Sequence, residues 1–357
     1  MNLVFITWRD LAHPSAGGSE HYVDDLARGL AERGHAVTLL AGGPVGANPY
    51  PTVDTGSTFG QYLRVPFIYA RRFRGADLVI DVENGLPYWS PLWRRGPKLC
   101  LVHHVHTDQW ATRFPGPVAK VGEILERHLL PLVYRRVPFV AVSPSTADAL
   151  AEIGVARERI RIVPNAVADG PEAEAEAEAE EPTFLVLGRL VPHKQVDLAL
   201  RLWERVRPRT GGRLIIVGDG PERARLEPMA GPGVHFTGRV DDATKHRLLG
   251  EAWVLIHPAM HEGWGVVITE AGRHRTPAIG FAVPGVRDAI IDGETGVLAT
   301  DEEDFVRAWT ELGTGARRHR LGDGAHEYSL QFDVDTTVEA FEAACTEAIA
   351  VQTGAIV

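Results

Sequence analysis

Trp253-Val254-Leu255-Ile256-His257-Pro258-Ala259-Met260-His261-Glu262-Gly263-Trp264-Gly265-Val266-Val267-Ile268-Thr269-Glu270-Ala271 changes its grammar partway along. Trp253 to Ile256 is a short apolar run fit for a buried strand, Val266 to Ala271 has a helical pattern, and the glycines between mark a loop. Strand-loop-helix units of this kind build open α/β sheets, which bind ligands at such loops. Glycine lets backbone approach a ligand closely, Glu262 falls on the loop, and Glu270 lies one to two turns into the helix. One carboxylate would meet a ligand first and the other a more distant part of it. The alternative is that Glu270 is a solvated helix residue and Glu262 a helix-start acid favoured by the dipole.

The same grammar recurs on both sides of a low-complexity run, Glu172 to Glu181, closed by Pro182. Alternating Glu and Ala offers no apolar face with a strand or helix period, so 171–182 reads as a solvated linker. Ahead of it, Leu3 to Thr7 leads through Gly17-Gly18-Ser19 into a helix with Val23, Leu26, Ala27, Leu30 and Ala31 on one face. Gly34 stops that helix before the strand Ala36 to Leu40, a βαβ opening. After the linker, Phe184 to Leu187 passes through Gly188 to a helix bearing Val196, Ala199, Leu200 and Trp203. Leu214 to Val217, Val234 to Thr237 and Val254 to Ile256 supply further strands. The predicted fold class is α/β, with two doubly wound, mostly parallel-sheet domains at 1–170 and 183–335. A terminal helix at about 336–357 would pack back on the first domain.

The 357 residues suffice for two such cores at 45% hydrophobic content. Two cysteines, Cys100 and Cys345, are too few and too far apart for a disulfide scaffold or a zinc site. The start runs into a strand-like segment without signal-peptide features, and no stretch approaches a membrane span, so a cytoplasmic location is expected. The net charge of −10 argues against nucleic-acid binding. It is unevenly spread: residues 1–170 hold 18 Lys/Arg against 16 Asp/Glu, and the remainder 19 against 31. The basic clusters Arg71-Arg72-Phe73-Arg74, Arg94-Arg95 and Arg135-Arg136 all fall in the first part, where they are solvated faces or weak peripheral contacts with an anionic membrane or acceptor.

Several constellations carry chemistry. Gly17-Gly18 stands between the first strand and first helix, where backbone amides and the helix dipole make an anion site, or simply a tight turn. The G-x-G-x-x-G spacing of a dinucleotide fold is absent there. Arg189 and Lys194 flank a loop after a strand; two cations repel unless an anion joins them, and a diphosphate fits, as would carboxylates from neighbouring helices. His103, His104 and His106 close the strand Lys98 to Val102. Adjacent strand residues point to opposite faces and no acidic or cysteine partner stands nearby, so an imidazole donating to a sugar or phosphate oxygen is favoured over a metal site. Asp333-Val334-Asp335 has the residues for Mg²⁺ against a diphosphate, but its place ahead of the terminal helix favours a cap. His257 and His261 do not form His-Glu-x-x-His, because Glu262 follows His261 directly.

In this order, Gly17-Gly18, the histidine after the fourth-strand region, Val142-Ser143-Pro144-Ser145, Pro164-Asn165, Gly188-Arg189 with Lys194, Gly218-Asp219-Gly220-Pro221, and Glu262 to Glu270 span nearly the whole chain. The chain so read resembles the retaining glycosyltransferases of family four (glycosyl transferases group 1), which have the GT-B architecture of two facing Rossmann-like domains. The resemblance implies that Gly17 and Gly18 approach a donor diphosphate, which Arg189 and Lys194 neutralise as it leaves. It implies that Glu262 contacts the donor sugar, Glu270 binds the ribose, and Gly265 and Val266 offer amides to the phosphates. Gly188 and Gly218 join this donor set. The sugar-contacting histidine falls best on His103, with His104 adjacent. The implied catalytic residues are Glu262, His103, Arg189 and Lys194, with no metal and no cofactor beyond a nucleoside-diphosphate sugar. The implied acceptor is a glycan, lipid-linked or small-molecule hydroxyl, read by loops around 48–62 and 107–117. Pro284-Gly285-Val286-Arg287-Asp288 departs from the family pattern and puts a role for Asp288 in doubt, and Trp264 replaces the usual Phe. A nucleotide-sugar epimerase and a non-catalytic sugar-nucleotide binding protein are the rival readings; a nicotinamide oxidoreductase is weaker.

Overall fold

The chain follows the strand-turn-helix alternation in two compact units, 1–166 with 334–357, and 167–333. The computed structural model describes residues 1–14, 16–57, 59–106, 110, 116–167 and 178–354.

Unit 1 runs β1 (Asn2–Arg9), α1 (Gly18–Glu32), β2 (Ala36–Gly42), β3 (Thr52–Asp54), α2 (Gln61–Arg72), β4 (Leu78–Glu83), α3 (Ser90–Trp93), β5 (Lys98–Val102), α4 (Gly116–Ile124), a π-helical turn (Leu125–Leu129), α5 (Leu130–Val133), β6 (Phe139–Ala141), α6 (Pro144–Glu152) and β7 (Ile160–Ile162). Its seven strands lie in the order β3-β2-β1-β4-β5-β6-β7, and every pair is parallel. Unit 2 contains β8 (Thr183–Leu187), α7 (Val196–Thr210), β9 (Arg213–Val217), α8 (Arg223–Leu226), β10 (Val234–Gly238), α9 (Asp242–Glu251), β11 (Val254–His257), α10 (Val266–Arg273), β12 (Ala278–Phe281), α11 (Val286–Ala289), β13 (Gly296–Ala299), α12 (Glu302–Thr314) and α13 (Arg317–Ser329). Its sheet is parallel with the order β10-β9-β8-β11-β12-β13. Strands buried on both faces need continuous apolar runs, and β4 and β5 are buried at every residue.

Each sheet reverses its winding once, between β1 and β4 in unit 1 and between β8 and β11 in unit 2. Loops leaving the carboxyl ends of two strands at such a reversal run in opposite directions and leave a crevice between them.

α14 (Val334–Thr353) belongs to unit 1. Its Val338, Phe341, Ala344, Cys345 and Ala348 join Leu26, Ala27 and Leu30 of α1 in one core, and Phe341 stacks on Phe5 of β1 at 5.9 Å. The basic clusters do not all stay on the surface. Arg94 is turned inward and donates to the carbonyls of Pro97 (3.0 Å) and Ala76 (2.9 Å), so it serves the fold and not a charged face.

One other expectation changes. Of the Glu/Ala run, 172–177 lie outside the described residues; Glu178 and Ala179 are docked on unit 2, while Glu180 and Glu181 are exposed. Glu178 accepts from Arg318 at 2.7 and 2.9 Å, and Ala179 donates to Glu251 O and accepts from Trp253 Nε1. The guanidinium of Arg318 stacks 3.8 Å from the Trp253 ring, which supplies a contact that binary patterning cannot register. Within the loops around 48–62 and 107–117, Tyr50 is buried with its hydroxyl on Asp24 Oδ1 (2.6 Å), and Tyr62 stacks on Tyr88 at 4.8 Å. Phe114 lies outside the described residues.

Phe341 is fully buried. Phe341→Ala is expected to destabilise unit 1 by about 3–5 kcal/mol, measured by urea unfolding. Loss of less than about 1 kcal/mol would show that α14 is not part of that core.

Candidate active site

In unit 2 the winding reversal places two loops side by side: Gly188 to Gln195 after β8, and Pro258 to Gly265 after β11. Backbone sterics hold them. A Cβ on Gly218 would lie 1.9 Å from Gly188 O, one on Gly220 would lie 2.3 Å from Leu190 O, and one on Gly285 would lie 2.2 Å from Glu262 O. Leu190 N–H donates to Asp219 O, Met260 N–H to His193 O, and Glu262 N–H to Pro284 O. Glu262 is thus pinned from below by a glycine whose φ is +80°, a conformation disfavoured for any side chain.

Gly188, Arg189, Lys194 and His257 line a small cavity, and Glu262 bonds to two of these residues. Its Oε1 accepts from Lys194 Nζ and from His257 Nε2, the latter at 2.9 Å. Burial works to raise the Glu262 carboxyl, but the Lys194 ammonium and the His257 hydrogen bond outweigh it and hold the group well below the usual carboxylate range. Burial keeps His257 below its ordinary value despite Glu262, so it donates from a neutral ring. The result is an ionised carboxylate beside the Lys194 ammonium and a neutral imidazole at the carboxyl end of a parallel strand. His257 was set aside in the sequence as part of a failed metal motif. Its place as the last residue of a buried strand, five before Glu262, is the signal that could have found it.

Glu270 stands apart. It lies in the second half of α10, and its Oε1 accepts from Lys245 Nζ at 3.1 Å. Different cations hold the two glutamates, so they do not form a shared acid/base pair. Gly265, with φ +91°, caps α10 and Val266 opens it. Trp264 is core: it packs edge-on against Phe332 at 4.8 Å. Asp288 lies on α11, where its carbonyl accepts from Tyr328.

In unit 1, Gly17 caps α1 in extended backbone, and its N–H donates to Glu20 Oε2 at 2.7 Å, half of a capping box. Arg9, at the end of β1, donates to Glu20 Oε1 at 3.2 Å. The helix start followed by Gly18 therefore already carries a carboxylate that the sequence reading overlooked. His103 follows β5 and is 4% exposed. Burial lowers its pKa to about 4, against the pull of Glu20, so the ring is neutral near pH 7. Its edge meets Tyr22 at 5.7 Å, and among the described residues its Nε2 has no hydrogen-bond partner. His106 does have acidic neighbours, contrary to the sequence reading. Glu83 from the end of β4 and Glu126 from the π-helical turn bring ligand atoms within 4.8 Å of its own. Glu126 accepts from the His106 N–H (2.6 Å) and from Trp110 Nε1 (2.8 Å), while burial and the Glu126 charge push the Glu83 carboxyl well up. Asp333 directly precedes α14 and Asp335 lies in its first turn; among the described residues neither joins a cluster of possible metal ligands.

The family model for glycosyltransferase family 4 matches residues 16–169, and that for glycosyl transferases group 1 matches 171–327. A D-inositol 3-phosphate glycosyltransferase of Acidothermus cellulolyticus is 30% identical over 94% of this chain and 86% of the relative. The chain belongs to glycosyltransferase family four. An exopolysaccharide phosphotransferase of Streptomyces coelicolor is 31% identical over 98% of this glycosyltransferase, which spans 41% of that relative's length. The Anabaena protein HepE, solved in complex with UDP and glucose, superposes with a TM-score of 0.76 at 15% identity, over 97% of this chain and all of that one. The two Rossmann-like sheets are those of the GT-B fold.

Gly285→Ala is expected to displace the Glu262 loop and lower turnover about 100-fold while the protein still folds; a normal rate would show that the loop tolerates the Cβ. The depressed Glu262 pKa gives a pH test. Its contribution to stability is present above the ordinary value of 4.5 and is lost as pH falls through the lower folded value. The stability difference between the parent and Glu262→Gln should accordingly be flat above pH 4.5 and shrink below it, as read by denaturant midpoints across pH. A difference that grows on acidification would contradict the ionised assignment.

Proposed function

We propose that this glycosyltransferase moves a sugar from a nucleoside-diphosphate sugar to an acceptor hydroxyl, with retention of configuration and without a metal. The observation that carries the reading is the ionised Glu262, held by Lys194 and His257, which line a cavity together with Arg189. Breaking the bond from the anomeric carbon leaves about three negative charges on the departing diphosphate, and fixed cations stabilise such charge without reorganising. Arg189 and Lys194 take that role, with the helix start at Gly265-Val266 giving a backbone dipole. Gly188 and Gly218 keep the cation loop in place.

Glu262 contacts the sugar hydroxyls and offsets the positive charge that develops on the ring. Glu270, with Lys245, holds the nucleoside. The neutral His103 donates to a sugar oxygen. The acceptor hydroxyl arrives on the face the diphosphate leaves, with a diphosphate oxygen taking its proton. A double displacement through Glu262 would call for a second carboxylate about 5 Å away. Glu270 is a poor candidate, being engaged by Lys245. The location is cytoplasmic in this reading; among the described residues no helix is long and apolar enough to cross a membrane.

A thermal-shift screen of nucleotide sugars identifies the donor, because a bound donor stabilises the native state by mass action. With that donor, Arg189→Ala and Lys194→Ala are each expected to lower turnover by about 10²–10³, and the product anomer, read by NMR, should match the donor's. Near-normal turnover in both variants would overturn the diphosphate assignment. Activity abolished by chelator and restored by Mg²⁺ would bring Asp333 and Asp335 back as ligands.

A further inference from the structure

α2 presents two unlike faces. Gln61, Val65 and Tyr69 are buried against unit 1, so the core needs nothing further from this helix. On the outside, Phe59, just ahead of α2, and Leu63 and Phe67 within it recur every four residues and are 74%, 76% and 74% exposed. Four-residue spacing puts them in one row. Arg64, Arg71 and Arg72 on the same helix, and Arg74 just after it, are exposed as well. Among the described residues none of the four arginines makes an ion pair. This contrasts with Arg94, whose guanidinium is consumed by backbone carbonyls.

Two phenylalanines and a leucine projecting in a row from a convex helix, with cations around them, match an interfacial helix whose apolar side enters the headgroup boundary. We propose that this strip docks unit 1 on an anionic phospholipid surface. A fluid lipid phase receives projecting side chains without a matching pocket, and guanidinium groups pair with lipid phosphates. An acidic protein partner would instead have to supply a groove complementary to the three apolar side chains. The proposal is independent of the donor site and stands or falls without it.

The test is cosedimentation of the full chain with vesicles of phosphatidylcholine alone or of equimolar phosphatidylcholine and phosphatidylglycerol, at low and high salt. The chain should pellet with the anionic vesicles at low salt, and much less with neutral vesicles or at high salt. Each arginine near such a surface contributes about fivefold, so Arg71→Ala/Arg72→Ala should bind about 30-fold more weakly. Leu63→Ser/Phe67→Ser should lose binding while unfolding at the parent temperature, since those side chains carry no core contacts. Failure of the parent chain to pellet, or either double variant binding like the parent, would overturn the proposal. So would a parent dimer in solution that Leu63→Ser/Phe67→Ser converts to monomer, because the strip would then belong to a second copy.

Discussion

Backbone against backbone at the carboxyl ends of the parallel strands is the contact on which the rest depends. Neighbouring strands lie about 4.8 Å apart, so the loops that leave them emerge with little room between. Where Gly188 meets Gly218, and Glu262 meets Gly285, that room is smaller than a methyl group. Removing side chains at these points lets the cation loop after β8 and the carboxylate loop after β11 share one cavity. Lys194 then reaches Glu262 across a sequence separation of 68 residues. The glycines thus act first on protein backbone, and any closeness to a ligand follows from it.

Much of this was legible in the sequence because apolar period and glycine punctuation are local properties. β5 runs from Lys98 to Val102 as read, and α10 begins at Val266. The faces of α1 and α7 bury the residues that their spacing indicates, apart from Ala31, which is half-buried. What escaped depends on contacts distant in sequence. His257 gains meaning only when Glu262 folds back over its strand, and His106 finds Glu83 and Glu126 through three separate elements. Glu20 was missed because an acid in a first helical turn is commonplace, and nothing local tells that its other oxygen takes Arg9. The docking of Glu178 and Ala179 was hidden by composition, since a Glu/Ala alternation carries no apolar pattern and the anchors are Arg318 and Trp253.

Charge in the two units follows a common rule: groups are fixed in one protonation state by their surroundings. Lys194 and His257 keep Glu262 ionised, burial keeps His103 neutral, and burial with the Glu126 charge pushes the Glu83 carboxyl up. Preorganisation of this sort transfers the cost of arranging charge from the reaction to folding.

Val167 donates its N–H to Phe332 O at 2.7 Å, so the two ends of unit 2 are neighbours, while unit 1 is completed by α14. On a growing chain, unit 2 is entire before the helix that covers α1 has been made. Its sheet can form while β1 to β7 still wait for Phe341 and Cys345, which makes the first-synthesised unit the last to close its core. The nascent chain therefore exposes the unfilled face of α1 for as long as it takes to make some 170 further residues. That interval is a vulnerability which a sequence read from left to right does not disclose.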